Sequence, residues 1–252
     1  MIKRFSCLLS ALCCILPATL LFSTPVFAQD EEGWQFAAGI YGWLPNINIK
    51  ESSGKKVGLS RQDILDNLDP SFLGSFTVGR GRYYAGLDFI YLNLSEKDND
   101  EVIPGTTLRK TEITSYLINP VLGYRVYDGA RHKINVEVGA RYFKQELDLS
   151  FRFDAPLPPG SDKLSASDDV WDAMVGLNGR YELSNKWFSR YFLEAGTGDS
   201  DLVWGYAATA GYQFSGFDLE AGWRDLHYEF DSDSDFKRID FPGPYLGANF
   251  YF

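Results

Sequence analysis

A chain of 252 residues with a formal charge of -10 at pH 7 is too acidic for nucleic acid to be a natural partner. Its three cysteines, Cys7, Cys13 and Cys14, all lie near the start, which excludes a disulfide scaffold or a cysteine metal site in the remainder. Aromatic residues make up 16% of the chain and glycine is abundant, yet no stretch beyond residue 28 has the uninterrupted apolar length of a membrane helix. That combination suits a transmembrane barrel, whose strands show only every second side chain to lipid.

Residues 1–28 have a basic start (Lys3, Arg4), an apolar run and Val26-Phe27-Ala28 before acidic residues, the layout of a secretory signal peptide. Their length and flanks argue against a retained helical anchor. The cleavage site after Ala28 is better than any lipidation site at Cys13 or Cys14, so the mature protein begins near Gln29. Loss of Lys3 and Arg4 makes it more acidic still. The single domain expected over residues 29–252 holds about 224 residues, enough for one large fold.

Residues 34–49 place Trp34, Phe36, Ala38 and Ile40 on one face and Gln35, Ala37, Gly39 and Tyr41 on the other, the period of a strand with one apolar side. The polar stretch 50–70 includes Ser60 to Leu68, suited to a short capped helix within a loop. A second strand spans 72–79 and stops at Arg80-Gly81. The third, 82–94, aligns Tyr83, Ala85, Leu87, Phe89 and Tyr91, with Asp88 opposite. The fourth, 111–125, exposes Tyr116, Ile118, Leu122 and Tyr124; Pro120 removes a ladder donor there and predicts a bulge. After the turn at 127–131, the fifth strand, 133–151, sets Ile134, Val136, Val138, Ala140 and Tyr142 against Asn135, Glu137, Gly139, Arg141 and Phe143. A loop with Pro156, Pro158 and Pro159 precedes the sixth, 170–183, whose Trp171, Ala173, Val175, Leu177 and Tyr181 oppose Asp172, Met174, Asn178, Arg180 and Glu182. The seventh (187–197), eighth (202–214), ninth (217–229) and tenth (244–252) follow, with Trp204, Tyr206, Ala208, Ala210 and Tyr212 sharing a face of the eighth.

Ten strands give the even count a closed single-chain bacterial barrel requires, and short connections after even-numbered strands would lie in the periplasm. Extracellular loops are then expected at about 50–70, 95–109, 152–168 and 230–242. The brief turn at 198–201 breaks the pattern and makes eight strands the alternative count. A soluble two-sheet sandwich also alternates. It does not explain apolar faces that end in Trp and Tyr, nor opposite faces carrying Asp88, Glu137, Arg141, Arg180, Glu182, Arg190, Glu194, Asp218, Glu220 and Arg224. A closed antiparallel transmembrane β-barrel accommodates both, since every backbone group is paired and no edge meets lipid.

The terminal Tyr245-Leu246-Gly247-Ala248-Asn249-Phe250-Tyr251-Phe252 resembles the C-terminal signature of outer-membrane proteins. The resemblance implies recognition by the barrel assembly machinery and contact with outer-membrane lipid and lipopolysaccharide in the cell outer membrane. Ile40-Tyr41-Gly42-Trp43-Leu44-Pro45, Arg80-Gly81-Arg82-Tyr83, Asp88-Phe89-Ile90-Tyr91-Leu92, Gly222-Trp223-Arg224 and Gly243-Pro244-Tyr245-Leu246-Gly247 resemble recurring blocks of small, mostly uncharacterised Gram-negative outer-membrane proteins, the OmpA/OmpW-like barrel group. That likeness implies a fold and leaves activity open.

Asp225-Leu226-His227 resembles the Asp-x-His half of the site in ten-stranded outer-membrane proteases, in which an Asp orients an imidazole that activates water. A second acidic pair across the mouth would be needed, with Asp168-Asp169 and Asp199/Asp201 at plausible heights. The register that points Ala221 and Trp223 outward also points Asp225 and His227 outward, which favours a solvated rim pair. His132, in a periplasmic turn, reads as structural. Ser232 and Ser234 give no convincing hydrolase with His227, and Asp231-Ser232-Asp233-Ser234-Asp235 lacks the spacing of a Ca²⁺ loop. No catalytic, cofactor or metal residue is therefore assigned. The inner charges either pair across the lumen and plug it or line a narrow wet path, and a barrel this small favours the plug. The expected role is non-enzymatic, structural or adhesive through the outer loops; the alternatives are a narrow pore or carrier for small or apolar solutes and a surface hydrolase using His227.

Overall fold

The computed structural model describes residues 33–54, 56–97, 101–153, 160–230 and 236–252. The expected leader, the segment containing Pro156, Pro158 and Pro159, and the acidic run from Asp231 to Asp235 lie outside them. In chain order the elements are β1 (Gln35–Trp43), β2 (Ile47–Glu51), β3 (Lys56–Leu59), α1 (Arg61–Asp66), β4 (Phe72–Arg80), β5 (Tyr83–Lys97), β6 (Glu101–Ile103) and β7 (Thr106–Asp128). They continue with β8 (His132–Phe153), β9 (Gly160–Glu182), β10 (Trp187–Gly198), β11 (Leu202–Gln213), β12 (Phe217–Glu229), β13 (Phe236–Asp240) and β14 (Gly243–Tyr251).

Ten of these strands form a closed antiparallel wall. Neighbours pair in sequence from β4 through β5, β7, β8, β9, β10, β11 and β12 to β14, and β14 pairs with β1, which returns to β4. Closure leaves no open edge at membrane depth, as lipid demands. The ten-strand count is thus correct and the eight-strand alternative is not. Tight turns join strands at one end; there Gly81 and Gly216 take φ of 60° and 109°, left-handed values that a side chain would strain.

The bilayer position follows from a reversal of polarity along single strands. On β8 the outward residues Val136, Val138, Ala140 and Tyr142 give way to Lys144, Glu146 and Asp148, while the inward Glu137 and Arg141 give way to Phe143, Leu147 and Leu149. β12 reverses likewise: outward Leu219, Ala221 and Trp223 precede Asp225 and His227, and inward Asp218, Glu220 and Arg224 precede Leu226 and Tyr228. Lipid requires apolar groups outside and tolerates charge inside; water above the membrane imposes the opposite arrangement. Tyr91–Tyr116 (5.3 Å between ring centroids) and Tyr142–Trp171 (4.8 Å) mark the outer boundary, and Tyr83–Tyr124 (4.9 Å) and Trp187–Tyr212 (5.1 Å) the inner one, as in an aromatic girdle.

Several sequence expectations change in detail. The first strand is split: Leu44-Pro45-Asn46 separates β1 from β2, and the backbone N–H groups of Leu44 and Asn46 bond across the gap to the carbonyls of Pro244 and Pro242. Pro120 makes no bulge. The β7–β8 ladder skips Asn119 and Pro120 but resumes in the same register, from Ile118↔Tyr142 to Val121↔Gly139. Register shifts fall instead between Leu108 and Lys110 and between Arg125 and Tyr127. Much of the expected loops 95–109 and 152–168 is strand. β7, β8 and β9 have 23, 22 and 23 residues, and a crossing takes roughly 9–11, so each continues well beyond the membrane. The short helix forms where expected: Ser60 caps α1 in a reciprocal box with Asp63, and Ile64 points into the core.

Candidate functional site

The lumen is where the chemically versatile side chains converge. Every charge assigned to the inner face lies there, and nine of them, Asp88, Glu137, Arg141, Arg180, Arg190, Glu194, Asp218, Glu220 and Arg224, are almost fully buried. Glu182 sits at the periplasmic mouth, bonded to Arg180 at 2.6 Å. Arg125 and Asp172 also belong to the buried set, giving five arginines against six carboxylates. So close a balance lets the charges neutralise one another without solvent, the condition on which burial of ions depends.

Near the periplasmic end, Asp218 Oδ2 accepts from Arg180 at 2.5 Å, from Arg190 at 3.1 Å and from the Tyr251 hydroxyl at 2.7 Å. The Phe188 ring lies beneath both guanidinium groups, 3.6 Å from Arg180 and 5.0 Å from Arg190, a cation–π arrangement. Farther up, Glu220 accepts from Thr209 at 2.8 Å and from Asn249 at 2.9 Å, while Tyr84 of β5 lies over β7 to donate to Glu137 of β8 at 2.6 Å. At the upper limit of the charged zone Arg141 bonds Glu194 at 2.7 Å, Asn119 at 2.9 Å and the Tyr228 hydroxyl at 3.1 Å. Beside it Tyr41 donates to Asp88 at 2.8 Å, and Arg224 stacks on Trp43 at 4.8 Å.

Above these ions the same inner face becomes a hydrophobic plug that includes Ile90, Leu94, Ile113, Leu117, Phe143, Leu147, Val203, Leu226 and Phe241. Ile47 and Ile49 of β2, Ile64 of α1 and Ile239 of β13 close it from the top. A void of about 10 Å³ lies between Glu137, Glu194, Met174 and Phe192, room for at most a single water. The Arg224 terminal nitrogens find no hydrogen-bond acceptor among the described residues; the Trp43 face is the partner seen for that guanidinium. Alternation had revealed the charges. It placed Tyr41 on the inner face but missed the phenols of Tyr84, Tyr228 and Tyr251, whose signal was their place on the inner parity of strands read for their outer faces.

His227 faces outward, as the register required, but it is not a solvated rim residue. Its ring stacks on Trp204 at 4.0 Å and is nearly buried. Nδ1 lies 2.5 Å from Asp240 and Nε2 3.2 Å from Asp225, with Arg238 also at Nδ1, 2.9 Å away. The imidazole thus clasps β11, β12 and β13 together on the outside of the wall. Of the acids considered as partners, Asp169 lies on β9, three strands away, and Asp199 accepts from the Trp171 backbone N–H. Among the described residues, no group of three or more His, Cys, Asp or Glu side chains is placed to hold a metal ion. His132, expected in a turn, opens β8, packs among Tyr127, Tyr181 and Tyr191 and contacts the Tyr191 hydroxyl at 3.0 Å.

A closed ten-stranded wall, an apolar band between two aromatic girdles and an ionic interior define an outer-membrane β-barrel, and the cell outer membrane is where this chain resides. No protein-family model and no curated protein matches the chain. Among solved structures it is similar to the outer membrane protease OmpT from Escherichia coli (11% identity, 91% of this chain and 99% of that one, TM-score 0.49). It is also similar to the translocator domain of the autotransporter NalP from Neisseria meningitidis (13%, 88% and 89%, 0.43) and to Ail, the attachment invasion locus protein of Yersinia pestis (11%, 88% and 100%, 0.36). These neighbours come from several kinds of outer-membrane protein, and none singles out the OmpA/OmpW-like group.

Proposed function

We propose that this protein is a non-enzymatic outer-membrane barrel with a closed lumen, acting through the walls and loops it raises above the cell surface. The observation that carries the reading is the double seal, a charge-balanced ionic network below and a hydrophobic plug above. Either layer alone would obstruct hydrated solutes. The strands that rise beyond the membrane form a broad platform, consistent with a structural or adhesive part. The blocks that resemble the OmpA/OmpW-like group fit a small barrel of this kind.

Proteoliposomes carrying the refolded barrel are expected to swell in small sugars no faster than empty vesicles. Swelling that neutralisation of Glu137 and Arg141 alters would replace this reading with that of a narrow pore. The hydrolase alternative is disfavoured because both ring nitrogens of His227 already face carboxylates on the outer wall. Peptide cleavage by the wild type that disappears in His227→Ala would restore it.

A further inference from the structure

Above the membrane the barrel wall is widened by a small sheet in which β13, β2 and β3 continue outward from β12. Its register brings three cations directly opposite one another, Arg238↔Lys50 and Lys50↔Lys56. The two lysines are exposed and Arg238 half-buried. Like charges in directly opposed positions destabilise a sheet. Arg238 is held by Asp240 at 2.5 Å and faces Glu229 across the ladder on its other side, but among the described residues Lys50 and Lys56 have no carboxylate partner.

The other raised flank shows that this is not the rule for the molecule. On β7, β8 and β9, Lys110 pairs with Glu112 at 2.9 Å, Lys144 with Glu146 at 2.6 Å and Lys163 with Asp148 at 2.9 Å. Among the described residues one flank neutralises these cations and the other leaves two of them open. The open pair also has a defined height. The row His227↔Asp240 stacks on Trp204 of the outer boundary, and Arg238 lies two residues farther out, roughly 7 Å along the strand. Below it, Arg61 lies over the boundary residue Trp223, 5.1 Å from the ring.

We infer that Lys50 and Lys56, with Arg238 and Arg61 at their margins, form a docking surface for phosphorylated glycolipid headgroups of the outer leaflet. The surface continues the lipid-facing band upward into the headgroup layer, where phosphates would supply the counter-charge that the described residues do not give Lys50 and Lys56. The inference depends on the membrane position and not on the closed lumen, so a conducting barrel would leave it intact.

Native mass spectrometry of the refolded protein in micelles, with diphosphoryl lipid A and its dephosphorylated form as probes, tests it. The wild type is expected to retain the diphosphoryl form preferentially. Lys50→Gln/Lys56→Gln should weaken that retention about ten-fold or more, while Lys110→Gln on the neutralised flank should not. Added salt should release the phosphorylated lipid from the wild type, a readout that needs no variant. Equal retention of the two lipids, an unchanged double variant or insensitivity to salt would each overturn the inference. Displacement of bound lipid by an equivalent charge of soluble sulfated polysaccharide would also overturn it and assign the surface to a glycan.

Discussion

Arg141 and Glu194 illustrate how the interior is held. Both side chains are buried, 1% and 3% exposed, and are joined at 2.7 Å. Removal of one partner leaves the other charged and dry, so Arg141→Met is expected to destabilise the barrel by about 3–5 kcal/mol, whereas Arg141→Met/Glu194→Met should recover most of that loss. Urea unfolding in micelles measures both; a double variant no better than the single would mean that the pair is not the local unit. Tyr84 makes a second test. It reaches Glu137 by lying against Gly123, where an added Cβ would overlap its ring. Gly123→Ala should force the phenol aside and cost roughly 1–3 kcal/mol in the same assay.

At the scale of the strand, sidedness is the governing property. Leu219 is outward and exposed on β12, so Leu219→Arg should lower stability by about 2–4 kcal/mol if the residue lies near mid-membrane, and less toward a girdle. An unchanged midpoint would contradict the facing. Above the membrane the constraints relax. The Asp148 carboxyl is held below the ordinary aspartate range, first by the Ser165 hydroxyl and then by Lys163. Its contribution to β8–β9 pairing is therefore present above that ordinary range, near pH 4, and disappears as pH falls through the lowered value. Hydrogen exchange at the outer end of β9, corrected for intrinsic rates, should be more protected at neutral pH than in strong acid; equal protection would deny the pair a role.

Strand number, faces and the identity of the luminal charges were legible because lipid enforces alternation over every crossing. The ends were not. The fifth strand is legible almost to its end, but the sixth reads as starting at 170 although its ladder with β8 starts at Gly160, because Ser161, Asp162, Lys163, Ser165 and Ser167 resemble loop composition. Pro120 misled for another reason. A missing donor need not insert a residue, and the ladder passed it by omitting two pairs while keeping its register. His227 was placed on its true face, but its burial depended on β13, whose pairing across Asp240 and Arg238 had no periodic signal in so short a segment.

For the molecule as a whole, two solvents set two rules within one continuous wall. Ions fill the part wrapped by lipid and hydrocarbon fills the part wrapped by water, and the inward β2, α1 and β13 contacts close what the long strands would otherwise leave open. The central claim is that this combined filling blocks transport. Ion conductance of refolded residues 29–252 in a planar lipid bilayer tests it most directly. The account predicts a folded, inserted and electrically silent barrel; discrete steps whose size and ion preference change when Glu137 and Arg141 are neutralised would contradict it.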